Sequence, residues 1–192
     1  ISARLIASNG VRFTPGRRTG EDQEFILKLL CCASACESVD DDDVYYIYRT
    51  PTEGSAMALN LEGQFDYPRA MRDVFDFAVG PNPKLSADDS GVVSRLLVDR
   101  FIGACAYAAE TALSNGSTAA DVLSWIDESL DGFDCQGALE NSGLRRENRR
   151  FLRLWLSCNG LIPPYLRSRL YVRSIGGAIK DLISCLDSRQ LF

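Results

Sequence analysis

The sequence predicts a mainly α protein: a compact helical bundle with a short β-hairpin and extended terminal arms. Three observations predict it. Apolar residues recur at helical spacing through most of the chain. Helix stops such as Asn115-Gly116 and Asn159-Gly160 punctuate those segments, and polar caps such as Ser86 and Thr118 open them. The stretch from Phe101 to Ala109 is almost entirely small and apolar, the composition of a central helix that others approach closely.

Residues 1–20 mix four arginines with Gly10, Pro15, Gly16 and Gly20 and predict an irregular basic N-terminal arm. A helical core is expected over 21–158, followed by a basic C-terminal helix or arm over 159–192. The first core helix, Glu21 to about Glu37, has acids in its first turn, where the helix dipole favours them. Its expected apolar face is Phe25, Ile26, Leu29, Leu30, Cys32 and Ala33. Asp40 to Asp43 read as a solvated acidic turn, because an EF-hand spacing fails at Val44-Tyr45-Tyr46. Val44 to Tyr48 and Ala56 to Leu61 are the two candidate strands.

A short helix is expected over Arg69 to Val79, opened by Pro68 and closed by Gly80-Pro81. The longest runs from about Ser86 to Leu113, with Gly91 a candidate break. The next is capped by Ser117 or Thr118 and ends near Leu130. A turn of helix near Gln136 to Glu140 precedes an arginine-rich helix, and a last helix spans about Tyr165 to Leu186, with Gly176-Gly177 as a hinge.

The formal net charge of −5 conceals a split. Residues 1–143 carry a net −12 and residues 144–192 a net +7. Such polarity suits head-to-tail self-association, an anionic partner for the C-terminal part, or a basic tail packed on its own acidic body. Arginine outnumbers lysine 18 to 3, the preference of planar contacts to carboxylate or phosphate. No apolar run is long enough to span a membrane and no signal peptide is legible, so no membrane partner is expected. The start at Ile1 rather than Met is what a missing leader or arm would leave.

The chain has no histidine, which removes the commonest general base and the usual hydrolase triads. No phosphate loop or dinucleotide fingerprint occurs. The seven cysteines fit no zinc spacing and read as reduced thiols, mostly among apolar neighbours. A non-enzymatic protein without cofactor or metal is therefore expected.

What remains is binding. Five arginines fall within nine positions, at Arg145, Arg146, Arg149, Arg150 and Arg153. On a helix, Arg145, Arg149 and Arg153 align at i, i+4, i+8 with the other two beside them, and Leu144, Phe151, Leu152 and Trp155 face a core. Two arginines at a helix start oppose the dipole and favour an arriving anion. The five are candidate phosphate contacts, with Arg167, Arg169 and Arg173 extending the patch and Trp155, Tyr165 and Tyr171 offering stacking faces. The competing reading is an arginine face salt-bridged to the acidic body. Changing Arg145, Arg149 and Arg153 together to glutamine separates the two, since only the second predicts unfolding.

Arg72-Asp73-Val74-Phe75-Asp76-Phe77 has the form Arg-x-x-Phe-Asp-Phe. It resembles a segment in the coat proteins of flexuous filamentous plant RNA viruses, whose arginine and aspartate help form the pocket for genomic RNA. The composition is also similar to that of rod-shaped plant virus coat proteins. The resemblance implies RNA contact by Arg72 and Asp76, in a structural subunit that assembles with copies of itself around single-stranded RNA in the virion or host cytoplasm. Without it, Arg72 and Asp76 form an ordinary i, i+4 ion pair. The alternative class is a Bcl-2-like regulatory bundle binding an amphipathic partner helix. Met71 to Phe77 resembles its BH3 segment and Arg100 to Ala108 its central helix.

Overall fold

A computed structural model describes residues 2–36, 63, 65–79, 85, 87–140 and 143–171, with 87–90 as backbone only. Their helices are α1 (Ala3–Asn9), α2 (Glu21–Cys32), α3 (Asp66–Val79), α4 (Ala87–Ser114), α5 (Ala119–Leu130), α6 (Cys135–Glu140) and α7 (Arg146–Cys158). A 3-10 turn, Asn159–Leu161, leads into α8 over 162–171. The described residues contain no strand. Both candidate strands, the acidic run Asp40 to Asp43, Ser86, Arg173 and the expected helix beyond 171 lie outside them.

The mainly helical expectation holds, and α4 is its axis. Its 28 residues extend about 42 Å at 1.5 Å per residue, unbroken at Gly91. α3 packs along it, α5 and α7 contact it separately, α2 covers α3, α6 packs on α7, and α1 on α2. Ala104, Ala106, Ala108, Ala109 and Ala112 are buried on α4, and these small side chains let neighbouring backbones approach. Phe101, Ile102, Met71, Val74, Ile126, Phe151, Leu152, Ile162 and Leu166 fill the spaces between.

Local chemistry explains the boundaries. Beyond the end of α4, Gly116 adopts φ 93° and donates from its N–H to Leu113 O at 3.3 Å, while Ser117 N–H reaches Ala112 O at 3.0 Å. This paired closure needs a left-handed residue, which glycine supplies without strain. Of the two caps considered for α5, Thr118 is the one used. Its Oγ1 accepts from Asp121 N–H at 3.2 Å, and the Asp121 carboxylate accepts from Thr118 N–H at 3.3 Å. Thr118→Ala is expected to cost about 1 kcal/mol in urea unfolding. A loss of only a few tenths would show that α5 is held by packing alone.

Three expectations are corrected. Residues 2–20 are not an irregular arm: they contain α1, bury Val11, and are pinned by Arg17. Its Nε lies 3.1 Å from Glu24 Oε2, and its Nη2 lies 2.5 Å from Asp73 Oδ2. Glu24 is 1% exposed and also accepts from Thr14 Oγ1 at 2.7 Å and Lys28 Nζ at 2.6 Å. That bound carboxylate turns Glu24 inward on α2 with Leu29 and Cys31. Ile26 and Leu30, expected inside, are each left 45% exposed. At the other end, Ile162, Pro163 and Leu166 are buried, so α8 is continuous with the core.

Candidate nucleic-acid interface

The arginine helix begins one residue later than its charge pattern. Arg145 is its N-cap residue, with φ −59° and ψ 149°, and uses no side-chain cap of its own. The cap comes from α4. Asp99, 8% exposed, accepts the Arg145 N–H at 2.8 Å on Oδ1 and the Arg145 Nε–H at 2.6 Å on Oδ2. Asn148, one turn into α7 and 2% exposed, donates from Nδ2 to Asp99 O at 2.9 Å and to Asp99 Oδ1 at 2.7 Å. Gly103, one turn along α4, makes room: a Cβ there would lie 3.1 Å from Asn148 Nδ2 and 3.3 Å from an Arg145 Nη. The anion that the start of α7 calls for is thus an aspartate of the same chain.

Arg149 is half-buried and donates from Nη1 to Leu139 O at 2.9 Å near the C-terminal end of α6. Arg150 is exposed, and its guanidinium sits 5.3 Å from the centre of the Tyr165 ring on α8, a cation–π distance. Arg169 approaches the same ring at 5.8 Å and pairs through Nε with the buried Glu110 Oε1 of α4 at 2.7 Å. Arg146 and Arg153 are exposed and make no ion pair or hydrogen bond among the described residues.

The five arginines therefore divide by angle around the helix. Asn148, Phe151 and Leu152 define its buried side. Arg146, Arg150 and Arg153, at i, i+4 and i+7, lie opposite and span about 10 Å along the axis. Arg145 and Arg149 lie to the side and bind groups of the same chain, although the Arg145 side chain stays 61% exposed. The stripe expected from the sequence, Arg145, Arg149 and Arg153, is not the outward one. Exposed Arg167 on α8 carries a further positive charge.

Arg72 and Asp76 are elsewhere, on α3, and make no hydrogen bond or ion pair with α7 among the described residues. Arg72 Nε donates to both Asp76 oxygens, at 3.1 and 3.0 Å. Its Nη1 and Nη2 each reach a carbonyl beyond the end of α5, Asp131 O and Gly132 O, at 3.4 Å. The guanidinium lies 5.2 Å from the Phe133 ring centre and 5.9 Å from that of Phe101. The i, i+4 ion pair is present, with Arg72 also closing the C-terminal end of α5. All three of its nitrogens have protein partners.

The six described cysteines are free thiols, and Cys185 lies outside the described residues. Burial, then the neighbouring Cys135, pushes the Cys105 thiol up; burial, then Asp134, pushes up Cys135; burial, then Cys32, pushes up Cys31. These three are held as thiols rather than reactive thiolates. Among the described residues, no group of three or more histidine, cysteine or acidic side chains is arranged to hold a metal ion. No helix among them is long and apolar enough to cross a membrane.

The sequence did not mark Asp99 and Asn148 as partners of the arginine helix. The available signal was their placement, an aspartate beside Val98 and Phe101 and an asparagine beside Phe151, where an unpaired polar group is costly. Comparison of the chain with models of protein families, with curated proteins and with solved structures finds no match.

Proposed function

We propose that the protein is a non-enzymatic structural subunit that binds single-stranded RNA and assembles with copies of itself, as a viral coat or nucleoprotein subunit does. The observation that carries this is the outward face of α7. Among the described residues, Arg146 and Arg153 are exposed without an ionic partner, and Arg150 between them is held only by a ring face. Three guanidiniums within about 10 Å match phosphates spaced along a flexible strand. Exposed acids on α5, at Asp121 and Asp127, give the surface the opposite charge that a neighbouring copy's arginines would meet. Arg72 and Asp76 have no direct RNA contact in this proposal, because Arg72 closes α5.

The test is the triple variant Arg146→Gln, Arg150→Gln, Arg153→Gln. It is expected to fold as the parent does, to lose single-stranded RNA binding at moderate salt, and to lower the salt slope of any residual binding by about 2. Arg145→Gln alone is expected to act on stability instead. Parent protein that is monomeric, free of co-purified nucleic acid and without salt-dependent RNA binding would overturn the proposal and leave the helix-binding alternative.

A further inference from the structure

Away from α7, the start of α3, α5 and the Gly16–Arg18 loop line a half-open cleft of about 360 Å³. That is at the small end of pockets that take small organic molecules, roughly 300–1,000 Å³. Trp125 and the buried Phe65 form its aromatic wall, with ring centres 5.0 Å apart. Its polar wall alternates in sign. Arg69 Nη2 lies 2.5 Å from Glu128 Oε1 and Arg69 Nη1 lies 3.5 Å from Asp66 Oδ1, with Arg18 also lining the space.

The balance of charge selects the ligand. Among the described lining residues, two arginines and two carboxylates sum to zero, so a free phosphate or a carboxylate would meet as much repulsion as attraction from them. A cation fares no better, because Arg69 already pairs with both carboxylates. A planar, uncharged group carrying acceptors and donors side by side fits both walls. Its face stacks on Trp125, its carbonyl or ring nitrogen accepts from an arginine, and its amino group donates to Glu128.

We propose that this cleft binds a nucleobase, with purines preferred for their larger stacking face. It extends the RNA-binding reading, on which it rests for its biological ligand. Single-stranded RNA is commonly read in this way, by splayed bases stacked on aromatic rings and hydrogen-bonded at their edges.

The experiment uses the full chain carrying Trp155→Phe, so that fluorescence reports Trp125 alone. Titration with GMP, AMP and UMP is expected to quench that fluorescence saturably, most tightly for the purines. Inorganic phosphate is expected neither to quench nor to compete. Glu128→Gln in the same background is expected to weaken binding about tenfold, the order of one charge-assisted hydrogen bond, while circular dichroism confirms the fold. Absence of saturable quenching by any nucleotide, equal competition by phosphate, or an unchanged affinity in Glu128→Gln each overturns the proposal. The two readings fail separately. RNA binding that is lost in the α7 triple variant but accompanied by no nucleotide quenching removes only the pocket. Quenching without RNA binding removes only the α7 interface.

Discussion

Asp99→Ala is expected to destabilise the protein by about 3 kcal/mol, the cost of removing one partner from a buried, hydrogen-bonded ionic cluster. The substitution deletes the acceptor for the Arg145 N–H that opens α7, a capping contribution of about 1 kcal/mol. It also removes an acceptor for the amide of Asn148, which is 2% exposed. The Arg145 side chain is 61% exposed and rehydrates, which keeps the loss toward the lower end of the range. Urea unfolding measures it as a fall in midpoint at unchanged slope. Arg146→Gln, at an exposed position with no ion pair or hydrogen bond among the described residues, is expected to stay within about 0.5 kcal/mol of the parent. A loss below about 1 kcal/mol for Asp99→Ala would show that α7 docks by its apolar face alone.

Phe101→Ala is expected to cost more, about 4 kcal/mol, because it removes a fully buried ring where α3, α4 and the α5–α6 connection meet. Its edge-to-face contact with Phe133, at 4.9 Å between centres, is lost directly. Phe133 in turn packs edge-on against Phe75 at 5.7 Å and lies under Arg72. The cavity therefore loosens the ring layer over which Arg72 closes α5. Thermal and urea unfolding would report it. A loss under about 2 kcal/mol would mean that neighbouring side chains collapse into the space.

The helices were legible in the sequence because their signals are local. Thr118 with Asp121, and Asn115 with Gly116, mark ends using residues within one turn of each other. The helical pattern likewise put Leu144, Phe151 and Leu152 on the core side of α7. The partners were not legible. Arg145 and Arg146 are adjacent and chemically identical, yet one is bound to Asp99 and the other faces outward. What separates them is about 100° of helix rotation and an aspartate 46 residues earlier in the chain. Periodicity cannot supply that information. The same holds for α2, where Arg17 and Lys28 draw Glu24 inside against the apolar pattern. Arg72 and Asp76 illustrate the reverse, since their i, i+4 spacing alone yields the contact that is found.

Glu24, Asp99 and Glu110 each bind an arginine from a separate stretch of chain: Arg17, Arg145 and Arg169. On α4 this settles alignment. The buried alanines offer neighbouring helices a nearly featureless surface, on which a slip of one turn, about 5.4 Å, would alter few apolar contacts. Asp99 and Glu110 mark two fixed points on that surface, about 16 Å apart, for the start of α7 and for α8. A slipped arrangement would strand two carboxylates and two guanidiniums, so misalignment is penalised by charge where shape alone would tolerate it.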